Sequence, residues 1–292
     1  MEKITMFLMN KKGFSVLESF LRKYGSKYID FVVVGQDKNV ERDYSVEIRK
    51  LCESNQVRIY YRSEAPSVKS NITFAIGWRW LIKEVNRLIV FHDSLLPQYR
   101  GFSPLVNCLI NHEETLGVTA LFASKEYDRG EIIAQKSIDI QYPIKVADAI
   151  ELISPIYISL VETIMEKWIK GEQIQSKKQD ESFATYSLWL DEEDYQIDWK
   201  KDAEFIKRFI DATGFPFKGA SSYINGKKIR INDSIVIEDV TIENRTPGKV
   251  IFMEDGIPII VCGKGLIKIL SIVDEETKEE LIPLKKYRVR FK

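Results

Sequence analysis

The first half of the chain alternates between short apolar runs and amphipathic stretches. The apolar runs are Ile4–Met9 (ITMFLM), Ile29–Gly35 (IDFVVVG), Val57–Tyr61 (VRIYY), Ile72–Gly77 (ITFAIG) and Leu88–Phe91 (LIVF). Runs of this kind suit strands covered on both faces, as in parallel sheets. Between them, Phe14–Gly25 (FSVLESFLRKYG) carries apolar residues at helical spacing and stops on a glycine. Tyr44–Ser54 (YSVEIRKLCES) has the same character. The alternation predicts an α/β fold with a Rossmann-like, doubly wound N-terminal domain. Further on, Ser103–Asn111 predicts a helix. GVTALFAS and EIIAQKSIDI predict two strands paired across Lys125–Gly130 (KEYDRG), and Val146–Lys170 predicts a long closing helix.

Gly171–Ser182 (GEQIQSKKQDES) is polar and reads as a linker. Beyond it Asp202–Thr213 predicts a helix. From Ala220 onward short alternating strands, separated by NGKK, EDG and CGKG, predict a smaller β-barrel of OB type. The expected division is an N-terminal domain over residues 1–180, then a linker helix and β-barrel domain over 181–292.

Composition narrows the function classes. The 292 residues carry 43 basic and 43 acidic side chains, which disfavours a broad basic surface for nucleic acid. Cys52, Cys108 and Cys262 are scattered without metal-ligand spacing, so reduced thiols in a cytoplasmic protein and no metal site are expected. The apolar stretch near the N-terminus is too short for a signal peptide or membrane span.

Only two histidines are present. His112, in NHEE, reads as an exposed residue. His92 sits where the run LIVF ends, and open α/β sheets bind ligands beyond the carboxyl ends of their strands. Histidine is the side chain best suited to proton transfer near neutral pH. Asp128 lies in the turn between two apolar strands, and a carboxylate beside an imidazole would orient it. Local sequence leaves both roles open for each: proton-transfer pair, or a strand-end histidine satisfied by a carbonyl and a turn aspartate.

The larger pattern is more specific. HDSLLPQYRGFSPL followed by GVTALFASKEYDRGEIIAQ resembles the signature of formyltransferases that use N10-formyltetrahydrofolate. His92, Ser94, Leu95, Leu96, Pro97, Arg100 and Gly101 match its first part, Gly117, Val118 and Thr119 its second, and Asp128, Gly130 and Ile132 its third. Phe74–Ile82 (FAIGWRWLI) is similar to the family's strand and loop along which the pterin lies. Gln196–Ala220, Thr246–Ile251 and Asp255–Ile269 are similar to its C-terminal part. Two positions depart: the family has Asn-x-His where Val90 stands here two residues before His92, and Asp93 replaces the family's usual small residue or proline. Asn86 and Asn107 are out of register with the first.

The resemblance implies a formyltransferase with His92 and Asp128 as catalytic pair and N10-formyltetrahydrofolate as co-substrate. Trp78, Leu81, Ile82 and Tyr127 are then expected to line the folate site. Asn10, Lys12, Ser94, Arg100 and Gly101 are expected to hold or shape the second substrate. The short segment after the second strand (GQDKNVERDYSVEI) and the acidic Glu192–Tyr195 (EEDY) favour a nucleotide-linked amino sugar over tRNA. That points to a cytoplasmic enzyme of polysaccharide biosynthesis, with a homodimer as the candidate assembly. The alternatives are a methionyl-tRNA formyltransferase and a non-catalytic binding relative that has lost the asparagine.

Overall fold

The computed structural model describes residues 2–82 and 87–292. They form two compact units, one of residues up to Cys108, Glu114–Ile140 and Asp148–Trp189, the other of Leu109–Glu113, Gln141–Ala147 and Leu190–Lys292.

The first unit is built on β1 (Ile4–Leu8), β2 (Ile29–Val34), β3 (Arg58–Tyr61), β4 (Ile72–Ile76) and β5 (Leu88–His92). The two-residue β6 (Arg100–Gly101) follows, then β7 (Thr115–Phe122) and β8 (Ile132–Asp139). The sheet runs β3-β2-β1-β4-β5-β7-β8. β1 to β5 are mutually parallel, and β7 is antiparallel to both its neighbours. A parallel pair needs a long crossover, whereas the short connection from β7 to β8 admits only an antiparallel pair. β1, β2 and β4 are buried along nearly their whole length, which is why they appear as unbroken apolar runs, whereas the edge strand β3 is only partly covered. The helix α1 (Asn10–Tyr24) joins β1 to β2, and α2 (Ser45–Ser54) joins β2 to β3. After the short α3 (Pro104–Ile110) comes α4 (Val146–Ile169), tied to α1 by Lys23 bridging Glu162 and Glu166 at 2.9 and 3.1 Å. β1 lies between β2 and β4, so the order of strand addition reverses there, and a crevice opens beyond the carboxyl ends.

The segment 171–182, expected as a linker, is instead fastened to this sheet. Lys177 exchanges two backbone hydrogen bonds of 2.8 Å with Ile132, and Ile174 is buried. Most of its polar residues are exposed, but Gln179 and Glu181 reach the neighbouring loop at Arg100. β9 (Tyr186–Ser187) then pairs in parallel with β6.

The second unit packs α5 (Ala203–Thr213) on an antiparallel sheet of β10 (Ala220–Ile224), β11 (Lys227–Ile237), β12 (Val250–Glu254), β13 (Ile257–Val261) and β14 (Leu266–Asp274). Its order is β10-β11-β14-β13-β12. Ile206, Ile210, Ile229, Ile231, Ile267 and Phe291 share its core. Asn225–Gly226 and Asp255–Gly256 turn two hairpins with positive φ at both positions, the type I′ geometry these pairs favour. The Asp202 carboxylate caps α5 by accepting the Phe205 N–H at 2.6 Å.

Candidate active site

His92 is the last residue of β5, and its side chain is 7% exposed. Alternation along the strand puts Leu88, Val90 and His92 on one face. Val90 is in register with Ala75 on β4 and Leu121 on β7, and His92 is opposite Thr119. The loop that follows folds back over this strand end. Thr119 holds it: its Oγ1 donates to the Ser94 carbonyl at 2.6 Å and accepts the Leu96 N–H at 3.1 Å. Gln135 Nε2 donates to the Leu96 carbonyl at 2.8 Å, and Ser94 Oγ to the Gln98 carbonyl at 2.6 Å.

The loop delivers the Tyr99 carbonyl to His92 Nε2 at 2.7 Å. A carbonyl only accepts, so in this arrangement Nε2 carries the proton and Nδ1 is the nitrogen able to receive one. Asp128 Oδ1 lies 3.5 Å from Nδ1. A proton arriving at Nδ1 therefore completes an imidazolium–carboxylate pair. The other carboxylate oxygen, Asp128 Oδ2, accepts the Gly101 N–H at 2.8 Å. Tyr99, Ser103 and Asp128 all have positive φ, a cluster of left-handed residues of the kind that collects at functional sites. Gly101 also has φ 103°, and a Cβ there would stand 2.5 Å from the Ser187 carbonyl oxygen.

A buried charge network centred on Arg100 fixes this loop from behind. Arg100 is fully buried, and its guanidinium donates to both carboxylate oxygens of Glu181 at 2.8 Å. It also donates twice to Gln179 Oε1, at 3.1 and 2.8 Å. Gln179 Nε2 in turn donates to the carbonyls of Asp128 and Gly130 at 2.7 and 2.8 Å. Glu181 takes a further bond from Arg129 at 2.8 Å. Arg100, with Arg129 assisting against partial desolvation, holds the Glu181 carboxyl down at about 2. A fork-shaped guanidinium suits such a junction, where one side chain must satisfy two planar groups.

Comparison with known proteins places the chain in a family. Residues 76–150 match the Formyl transferase family and residues 190–283 match the Formyl transferase C-terminal domain. The chain belongs to the formyl transferase family. A methionyl-tRNA formyltransferase from Syntrophomonas wolfei is 30% identical over 181 residues, 62% of this chain and 57% of that relative, so the match spans less than two thirds of its length. WlaRD, a sugar 3N-formyl transferase solved with dTDP and 5-N-formyl-THF, shares 22% identity with a TM-score of 0.67, over 92% of this chain and 97% of that one. The N-formyltransferase from Helicobacter canadensis, solved with folinic acid and dTDP-3-aminofucose, shares 20% with a TM-score of 0.66, over 92% and 99%. At these identities the likeness to the two structures is one of fold.

The other expected site residues are placed as follows. Trp78 packs edge-on against Phe7 at 5.0 Å, and its Nε1 is buried without a hydrogen-bond partner. Ile82 packs against the same apolar cluster, which also receives Val90. Leu81 and Tyr127 are 63% and 64% exposed, and Tyr127 lies beside the exposed Phe102 with ring centroids 6.2 Å apart. Ser94 is buried and holds the loop turn, and Arg100 is engaged by Glu181 and Gln179. Lys12 is engaged too, in an ion pair with Asp93, whose other oxygen accepts the Tyr157 hydroxyl. Burial, reinforced by the Asp93 carboxylate, pushes the Tyr157 hydroxyl far up, so it stays a donor. Asn10 Oδ1 is buried and has no hydrogen-bond partner. Asn107 Nδ2 donates to the Ser103 carbonyl at 2.9 Å, and Asn86 lies outside the described residues. Among the described residues no cluster of three His, Cys, Asp or Glu could hold a metal ion, and no helix is long and apolar enough to cross a membrane.

Proposed function

We propose that this chain transfers a formyl group from N10-formyltetrahydrofolate to the primary amine of a nucleotide-linked amino sugar. The observation that carries the reading is the His92 ring held between the Tyr99 carbonyl and the Asp128 carboxylate, with Nδ1 alone able to accept a proton. When bound, the folate supplies an electrophilic formyl carbon. His92 Nδ1 takes the proton from the attacking amine, and Asp128 holds the resulting imidazolium in place. The proton is then returned to the departing nitrogen. The residues present suit a folate: Trp78 has an unpartnered indole N–H, and Leu81, Tyr127 and Phe102 offer exposed apolar faces for planar rings.

An amino sugar is preferred to tRNA because the cations of the second unit that face the EEDY stretch are already neutralised. Glu192 pairs with Lys228 at 2.6 Å, Lys218 at 3.2 Å and Arg230, and Arg230 also pairs with Glu275 at 2.6 Å. Paired cations make poor phosphate contacts. We read the second unit as a small closed barrel, since Phe291 N–H bonds the Gly248 carbonyl while Lys292 pairs with Tyr223 at the sheet's other edge. The setting that goes with this reading is a cytoplasmic enzyme of polysaccharide biosynthesis.

The test is a mass-spectrometric screen of the purified chain with N10-formyltetrahydrofolate and a panel of dTDP- and UDP-linked amino sugars. The expected result is gain of one formyl group by one panel member. Formylation of charged methionyl-tRNA instead, with steep salt dependence, would favour the second reading, that of the relative from Syntrophomonas wolfei. No product from either class would defeat both.

A further inference from the structure

A second polar cluster lies at the carboxyl ends of β2, β3 and β4, away from His92. Trp80, just after β4, lays its ring against Gly35 at the end of β2. A Cβ on Gly35 would come 2.6 Å from Trp80 Cζ3 and 2.7 Å from Met9 Cγ, so the glycine is what lets the indole sit there. Trp78 braces Trp80 edge-on at 5.1 Å. Two guanidiniums lie over the Trp80 ring, Arg62 from the end of β3 at 4.4 Å and Arg79 at 5.1 Å. Arg79 is clamped by the buried Asp37, with contacts of 3.0 and 3.1 Å, and Asp37 is itself fixed by the Asn39 N–H at 3.0 Å. Arg62 is exposed and has no carboxylate partner among the described residues.

Cation–π stacking alone would account for two arginines resting on a tryptophan, at about 0.5–1 kcal/mol each on a surface. It does not account for where they rest. The cluster occupies the crevice side of the strand reversal, where open α/β sheets take their ligands. Three strand spacings of about 4.8 Å separate the end of β2 from the end of β5, roughly 14 Å in all. That is the scale on which a sugar and its phosphates separate an amine from a nucleoside. Guanidiniums recognise phosphate through paired N–H donors, and stacking on an indole orients those donors in advance.

We propose that Arg62, stacked on Trp80 and steadied beside the Asp37-paired Arg79, forms the subsite for the diphosphate of the nucleotide-linked substrate. This rests on the sugar-nucleotide reading above. The test compares the intact chain with Arg62→Gln, Arg62→Lys and Gly35→Ala. Binding of dTDP and UDP is measured by calorimetry, and KM is measured separately for sugar nucleotide and folate. Arg62→Gln is expected to weaken nucleoside diphosphate binding and raise the sugar-nucleotide KM about tenfold, leaving kcat and the folate KM unchanged. Arg62→Lys should recover part of the loss, and Gly35→Ala, which displaces Trp80, should resemble Arg62→Gln. Unchanged diphosphate binding in Arg62→Gln overturns the subsite. So does a rise confined to the folate KM, which would assign Arg62 to the carboxylates of the folate's glutamate tail. Wild-type chain that binds dTDP or UDP through Arg62 but formylates nothing would leave the subsite standing and defeat the formyl-transfer reading.

Discussion

Gln179 offers the sharpest test of how the site is held. Its amide faces two ways: Nε2 donates to the Asp128 and Gly130 carbonyls, and Oε1 accepts two bonds from Arg100. Replacing it with alanine removes four hydrogen bonds, two of them charge-assisted. At about 1 kcal/mol for each neutral bond and somewhat more for the charged ones, less what water recovers at a half-buried position, the loss is about 2–4 kcal/mol. Most of that falls on the 125–130 turn, whose Asp128 carries a left-handed φ and needs support. A displacement of about 1 Å at a catalytic group can cost up to 10²-fold, so Gln179→Ala should lower kcat about 10- to 100-fold with both KM values nearly unchanged. Gln179→Glu separates positioning from bulk stability. It gives Arg100 a charged partner but cannot donate to either carbonyl, so its Tm should fall less than that of Gln179→Ala while its kcat falls as far. Steady-state kinetics and thermal unfolding of both variants suffice. A Gln179→Glu enzyme with wild-type kcat, or a Gln179→Ala enzyme that loses only Tm, would refute the reasoning.

Three further outcomes are expected. Asp128→Asn keeps an acceptor for the Gly101 N–H but no negative charge for the imidazolium, so kcat should fall about 10²- to 10⁴-fold; a near-normal rate removes Asp128 from the mechanism. Gly101→Ala drives a methyl into the Ser187 carbonyl at positive φ, so it should cost both Tm and kcat, and a silent substitution would contradict the loop geometry. Burial pushes the Glu192 carboxyl up, but Lys228, Lys218 and Arg230 outweigh it and hold it at about 2. A carboxylate held below its unfolded value of 4.5 lends stability that is complete above that pH and is lost as pH falls toward about 2. Glu192→Gln should therefore lower Tm at neutral pH and flatten the acid limb between about pH 4.5 and 2; superimposable profiles would exclude the effect.

Much of the architecture was legible because its physics is local. Strands buried on both faces must be apolar throughout, so β1, β2 and β4 stand out, and Asn225–Gly226 and Asp255–Gly256 announce their hairpins. The pairing of His92 with Asp128 was legible only through the long motif, since no periodicity links a strand end to a distant turn. What escaped was polar and long-range. Asp93 meets Lys12 and Tyr157, which are 81 and 64 residues away, and nothing local announces either contact. The segment 171–182 has no apolar period and so reads as a linker. Yet Gln179 and Glu181, the latter opening a short 3-10 turn (Glu181–Phe183), both reach Arg100. An isolated polar segment and one that completes a buried network look alike until the buried arginine is in view.

Val90 makes that network matter more. The position two residues before His92 shares its face of β5, so an amide there would lie beside the histidine. Here it carries a valine packed against two apolar clusters, one with Phe7 and Ala75 and one with Leu96 and Leu121. On the formyl-transfer reading, an oxyanion donor at this position is absent, and losing one such donor typically costs roughly 10²–10³ in rate. Charge developing on the formyl oxygen must then be met chiefly by the imidazolium that forms as His92 takes the amine proton. Attack and proton transfer become more tightly coupled than they would be with an amide in place. The rate in turn depends more steeply on how well Tyr99 and Asp128 hold the ring. That dependence is a physical reason for Gly101, Arg100 and Gln179 to hold the loop from three directions, with a fully buried guanidinium at its centre.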